Sequence, residues 1–391
     1  MRTMKKNNFL LSGYYLFYFA AQGCAASFLN VYLEEGLGFD GSQLGWYHAA
    51  TALAPAFILP FLGHLADESG KAKWLLSGGL LLLIGASWGL GVQDALLGAI
   101  LWGAAWECAR SLCVSMADRS AMLLRGSGYG STRSAGSLGF LLGGGAMGLL
   151  AEWWGLEKVL FPVYAGLIGL ALLCAVGIPT VKTKQAQQKP EGSMLSLWNV
   201  PLMWFALLMG ALSTVGVSVL QPFLGTHLVM TMGASEGILG WNTLLCVGPE
   251  LVLLPLFSQK WLPKWGFRMS FLVTTLALAL RCVLYALAPS PMFFLGASLL
   301  YGLSMCASTV LVLTFLQAIV PQNQYGAAVL LSTAVSTVGR ALFGWLFGVL
   351  YRHLGSGSIF WCLAALSLAV AGLVWKLKIP VPVPQGSDRC P

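Results

Sequence analysis

TALAPAFILPFLGHLADESGKAKWLLSGGLLLLIGASWGL, residues 51–90, is two apolar runs joined by one short charged turn. Asp67, Glu68, Lys71 and Lys73 are its only charged residues, and all four fall in the turn. A helix needs ~20 apolar residues to cross the ~30 Å hydrocarbon core of a bilayer. Each run is of that order, so the stretch reads as two membrane-spanning helices and the loop between them.

The same pattern fills the rest of the chain. Of its 391 residues, 57% are hydrophobic and only 9% charged, with a mean hydropathy of +0.77. A soluble domain carries about 25% charged residues because its surface faces water. This composition excludes that class and points to lipid as the solvent. Hydropathy predicts twelve spans, at 9–33, 43–65, 74–92, 94–116, 134–151, 159–179, 200–230, 237–259, 267–288, 291–319, 324–351 and 356–378. An even number puts both termini on one side.

The basic residues give the orientation, because cytoplasmic loops carry an excess of Lys and Arg. Arg2, Lys5, Lys6, Lys71, Lys73, Arg119, Arg125, Arg133, Lys182, Lys184, Lys189, Lys260, Lys264, Arg268, Lys376, Lys378 and Arg389 fall on one side, 17 of the 22. The other side holds only Lys158 and Arg352, beside acids such as Glu34, Glu35, Asp40, Asp94, Glu152, Glu157 and Glu236. Both termini are therefore expected in the cytoplasm, in the cell (plasma) membrane. The basic residues are spread over successive loops, which accounts for the net charge of +8 without a nucleic-acid partner. The start, Met1 to Lys6, runs directly into Phe9–Leu33 with no small-residue cleavage site, so it is read as a retained first helix.

Residues 180–197, rich in Gln, Lys, Pro, Gly and Ser, form the longest polar stretch and are read as a cytoplasmic linker. They divide the chain into an N-terminal six-helix bundle (1–179) and a C-terminal six-helix bundle with a short tail (198–391). A repeat fits this division. Span 5 is entered through Tyr129-Gly130 and leaves past Gly148 and Gly155; span 11 is entered through Tyr325-Gly326 and leaves past Gly348 and Gly355.

The turn quoted at the outset, Gly63-x-x-x-Asp67-x-x-Gly70-Lys71-x-Lys73, resembles the G-x-x-x-D-x-x-G-[RK]-x-[RK] signature of the major facilitator superfamily. Glu68 departs from it, standing where a basic residue is usual, and the matching loop of the second half, 258–268, keeps only Gly266 and Arg268. The resemblance implies an all-α fold of about twelve helices in two pseudo-symmetric six-helix bundles. Tyr18-Phe19, Gly23, Phe28 and Leu33 in span 1 are similar to the lactose permease-like and phenylpropionate permease-like branch. So are Tyr129-Gly130-x-x-Arg133-x-x-Gly136, Glu250 in span 8 and Arg281 in span 9. By that resemblance Arg133 contacts solute, Asp118 matches an acid of helix 4, and Phe140 matches an aromatic that stacks on sugar. Two departures count against lactose-type specificity: Tyr301 and Ser304 stand near the positions of a histidine and an acid in helix 10, and the acidic pair of helix 7 is absent.

Charges inside spans cost ~2.5–3.5 kcal/mol each on insertion scales, so they face protein or a cavity. Glu107 and Arg110 lie three apart on one helical face. They and Glu250–Arg281 either neutralise one another or line a cavity with a substrate or proton role. Arg340, with no acid in its span, either snorkels or holds an anionic group. Pro249 before Glu250 is expected to break span 8 and bare a carbonyl. The candidate solute ligands are thus Asp118, Arg133, Phe140, Glu107, Arg110, Arg281 and Arg340, and the candidate proton carriers Glu250, Asp118 and Glu107.

Nine cysteines, eight of them in apolar spans and none in a C-x-x-C pair, read as small buried hydrophobes. No metal or cofactor is expected. H-E-x-x-H, G-x-S-x-G and a Walker-type phosphate loop are all missing, which argues against an enzyme and against ATP as energy source. The leading reading is a monomeric secondary transporter of a sugar, nucleoside or aromatic carboxylate, coupled to proton symport. Efflux of hydrophobic drugs by proton antiport is the alternative.

Overall fold

The computed structural model describes residues 2–69, 72–125, 129–179, 194–377 and 379. Gly70 and Lys71 of the signature turn lie outside them, as does 180–193 of the expected linker, and the side chains of Gly63 and Asp67 are likewise not described. Lys73 sits just inside the helix that follows the turn.

Among the described residues the helices form twelve runs. The first, α1, is Arg2–Ala26 continued by Phe28–Glu35, with a 42° bend between them. Next come α2 (Gly41–Ser69), α3 (Ala72–Gly91), α4 (Leu96–Arg125), α5 (Tyr129–Trp154) and α6 (Leu156–Gly177). A 3-10 turn at Met194–Asn199 leads into α7 (Met203–Thr231). The remainder are α8 (Glu236–Leu256), α9 (Leu262–Ala286), α10 (Pro291–Ser298, Tyr301–Cys306 and Val312–Ile319), α11 (Tyr325–Leu354) and α12 (Gly357–Lys376).

Seven segments of these residues are long and apolar enough to cross a membrane. One of them, Glu236–Ala286, has 51 residues, about 77 Å of helix at 1.5 Å per residue. It is two spans, broken at Gly266, whose φ of 71° a side-chain-bearing residue rarely adopts. The molecule is inside-out relative to a soluble protein. Leu81, Leu97, Leu101, Leu173 and Val252 are exposed, while Tyr14, Tyr15, Tyr18 and Arg281 are fully buried. Trp153, Trp154 and Trp375 stand exposed at helix ends, as interfacial residues do.

Two expectations need correction. Span 4 does not stop at residue 116 where charge begins: α4 continues to Arg125, because Ala117, Ala121, Met122, Leu123 and Leu124 are strong helix formers. Asp118 therefore sits on a helix. Nor does Pro249 break span 8; α8 runs through it, and the irregularity comes later, in the π-helical turn Phe257–Trp261.

Contacts group the chain into two units. The first holds Met1–Gln187, Pro222–Leu244 and Gly344–Val349; the second holds Gln188–Gln221, Leu245–Phe343 and Leu350–Pro391. In the first unit α1 and α5 touch backbone to backbone. A Cβ at Gly139 or Gly143 would overlap the carbonyls of Leu16 and Ala20, and one at Gly23 the carbonyl of Phe140. The repeat glycines mark further crossings within this unit. A Cβ on Gly148 would stand 2.6 Å from the Gly240 Cα, and one on Gly45 3.0 Å from the Gly348 Cα.

Candidate functional site

The first unit brings four side chains together from three helices. Tyr15 and Phe19 lie four apart on α1, so their rings share a face and stack at 6.2 Å. Asp118 comes from the extended end of α4 and Arg133 from the first turns of α5. The Tyr15 hydroxyl donates to Asp118 Oδ1 at 2.6 Å, and Arg133 Nε lies 3.9 Å from that oxygen. The guanidinium sits 4.0 Å over the Phe19 ring and 5.5 Å from that of Tyr15. Gly136, one turn after Arg133, leaves the room: a Cβ there would stand 2.8 Å from Arg133 Nη1. The cluster is a planar cation on an aromatic face beside a carboxylate. The Arg133 side chain keeps 33% of its surface accessible and Asp118 27%, so both are within reach of a solute.

Phe140 is not part of this cluster; its carbonyl packs at Gly23, and Phe19 supplies the aromatic face under Arg133. Sequence reasoning missed Tyr15 and Phe19. Their spacing four apart, on the span that α5 glycines approach, is the signal that finds them.

Glu107 and Arg110 hold each other. Arg110 Nε donates to Glu107 Oε1 at 3.0 Å and Nη2 to Oε2 at 2.6 Å, a two-pronged pair. The Tyr18 hydroxyl donates to the Arg110 carbonyl at 2.8 Å, and Gln22 Nε2 to the Tyr164 hydroxyl at 3.0 Å. Trp106 packs on Tyr164 with centroids 4.2 Å apart.

In the second unit Glu250, on α8, is 9% exposed, and Arg281, on α9, is fully buried. Arg281 takes a carbonyl rather than a carboxylate: Nη2 donates to Gly216 at 2.6 Å. Gly216 lies in the π-helical turn Val215–Val219 of α7, where the regular ladder is interrupted and a carbonyl is free to turn aside. The guanidinium faces the rings of Tyr301 at 5.2 Å and Tyr285 at 5.8 Å, and its Nε and Nη1 have no hydrogen-bond partner. Gly302 brings α10 against α8 here; a Cβ on it would stand 3.1 Å from the Glu250 nitrogen. Arg340 lies elsewhere in the unit, on the wall of a cavity between α7, α10 and α11.

The profile of the MFS_1 like family matches residues 9–362. The maltose permease of Geobacillus stearothermophilus is 25% identical over 342 residues, covering 85% of this chain and 84% of that one. The quinolone resistance protein NorA of Staphylococcus aureus is 31% identical over 209 residues, half of this chain and 52% of that one. Among solved structures, a point mutant of the nucleoside transporter NupG superposes with a TM-score of 0.83 at 15% identity, covering 94% of this chain and 99% of that one.

Proposed function

Because the chain belongs to the MFS_1 like family, and so to the major facilitator superfamily of multi-pass membrane transporters, we propose that it moves a small polar solute by alternating access coupled to proton symport. The solute is a sugar, nucleoside or aromatic carboxylate. The observation that carries this reading is the Tyr15–Asp118–Arg133–Phe19 cluster, in which Arg133 and Asp118 stay partly accessible. Arg133 donates to solute oxygens, Phe19 offers a flat face to a ring, and Asp118 balances the charge while the site is empty. Glu250 carries the proton, with Asp118 as a further carrier. The 17-to-2 distribution of basic residues supports cytoplasmic termini in the plasma membrane. The chain acts as a monomer.

The similarity to NorA favours a second reading, proton-driven efflux of hydrophobic compounds.

Reconstitution into vesicles with an imposed pH gradient separates the two. Maltose, D-xylose, uridine and benzoate are offered as solutes, and proton entry is followed with a trapped pH dye. The expected result is uptake of a polar solute with stoichiometric proton entry, lost in Arg133→Ala. Transport of a fluoroquinolone or a lipophilic cation alone, indifferent to Arg133→Ala, overturns the import reading and establishes efflux.

A further inference from the structure

Resting on the transporter reading above, we propose that the Arg340 cavity of the second unit seats a polyol, and therefore that the transported solute is hydroxyl-rich and of about monosaccharide size. The cavity has a volume of about 200 Å³ and is bounded by Thr214, Ser332, Thr333, Ser336, Thr337 and Arg340. Gly210 and Val312 complete the wall. Sites for drug-sized ligands run to about 300–1,000 Å³, so this one is sized for a single small ring and not for an extended amphiphile.

The lining is chemically one-sided. Ser332, Thr333, Ser336, Thr337 and Arg340 fall on one face of α11, because residues three or four apart stack along a helix. Serine and threonine in membrane helices commonly satisfy themselves on their own backbone, and three of these do so. Thr214 donates to the Gly210 carbonyl at 2.8 Å, Thr333 to Val329 at 2.9 Å and Thr337 to Thr333 at 2.9 Å. With their protons committed, these hydroxyls present lone pairs to the cavity. They accept hydrogen bonds, so the ligand they fit supplies several O–H donors.

Arg340 is donor-only and takes the ligand's oxygen lone pairs. A group that is donor and acceptor at neighbouring atoms, as the hydroxyls of a sugar ring are, meets both. Among the described residues no aromatic ring lines the cavity, so a nucleobase or benzoate ring finds no stacking face among them.

Packing alone does not account for the arrangement. Ser332 and Ser336 approach α7 at Gly210, yet with that contact made they still border open volume together with Thr333, Thr337 and Arg340. That volume is kept by a glycine: a Cβ on Gly210 would stand 3.0 Å from Ser332 Oγ and 3.5 Å from Ser336 Oγ.

The test is binding to the full chain in lipid nanodiscs, read as ligand-dependent thermal stabilisation. D-xylose, D-glucose and uridine are the hydroxylated probes; benzoate and a lipophilic cation are the hydroxyl-poor ones. A hydroxylated probe is expected to bind. In Thr333→Val/Thr337→Val, which removes two acceptors and keeps the shape, its apparent Kd should rise about tenfold while the melting temperature of the empty protein holds. Gly210→Ala should weaken the same probe independently by narrowing the cavity. If the double variant binds as tightly as the native chain while Arg133→Ala abolishes uptake in vesicles, the polyol seat is wrong and the transport reading stands. If only benzoate binds, the polyol seat again fails alone. If only the lipophilic cation binds, both readings fall.

Discussion

Arg133 and Arg281 both lie on membrane helices, yet they are kept in opposite states. Arg133 leaves a third of its side chain accessible, with a carboxylate 3.9 Å away and a ring beneath it. Arg281 is sealed; one nitrogen reaches a carbonyl, two have no hydrogen-bond partner, and the guanidinium faces two tyrosine rings. An accessible, charge-matched guanidinium can exchange its partner for a solute oxygen at little cost. A sealed one has no solute to meet, and each unmade buried hydrogen bond costs about 1–3 kcal/mol. Such a group persists for its field. We propose that it holds a fixed positive charge in a dry interior, where a carboxylate of the same unit such as Glu250 feels it most.

The sharpest way to break this comparison is Arg281→Met. The substitution removes two buried donors that make no hydrogen bond, at Nε and Nη1, and strands one carbonyl, at Gly216, so its effects on stability offset. The expected outcome is therefore split. Proton-coupled uptake falls about a hundredfold, of the order a positioned proton-transfer group contributes, while the melting temperature in detergent stays level or rises. A fall in melting temperature with uptake intact would make Arg281 a structural residue and dissolve the contrast with Arg133.

Next in size is the coupling inside the Arg133 cluster. Tyr15→Phe removes the donor to Asp118, and Asp118→Asn removes the charge that Arg133 faces. If the three act as a unit, the double variant loses less than the sum of the singles, with an interaction of about 1 kcal/mol in solute binding. The check is a double-mutant cycle on apparent Kd. Additive losses would mean that Phe19 alone positions Arg133 and that the Tyr15–Asp118 bond is incidental.

Most of the fold was legible because lipid imposes a strong and simple rule on composition. The apolar runs, the signature turn and the basic loops are each dictated by the bilayer, and the helices sit where hydropathy puts them. The failures came where a helix outlasts its apolar segment. Nothing in hydropathy separates a charged loop from a charged helical extension, so the span drawn to 116 left out Asp118, which the family resemblance matches to helix 4 and which rides on α4. The glycines Gly148 and Gly348 stood out as a repeat, but only backbone geometry shows that they are crossing points.

The site was half legible. Charges inside spans announce themselves by their cost, which located Glu107, Arg110, Glu250, Arg281 and Arg340. Their partners did not follow from that cost. A carbonyl freed by a π-helical turn has no sequence signature, so Gly216 could not be foreseen as the acceptor for Arg281. Phe140 and Phe19 are equally aromatic, and only the packing of α1 on α5 shows that Phe19 is the ring under Arg133.

Glu107 and Arg110 are a third arrangement against which the first two can be read. Both carboxylate oxygens are taken by one guanidinium on the same helix face. Tyr18 anchors on the Arg110 carbonyl, a backbone atom that survives any substitution there. A pair so closed on itself should matter little when removed as a whole and more when broken. Glu107→Gln leaves Arg110 uncompensated and is expected to slow uptake about threefold, the modest scale of a partly exposed ion pair. Glu107→Gln/Arg110→Gln should restore most of that loss, because the stranded charge is gone and the Tyr18 anchor remains. A double variant as slow as the product of its parts would instead place both residues on the solute path, like Arg133. Uptake rates measured on the three variants in one vesicle preparation decide which kind of arginine Arg110 is.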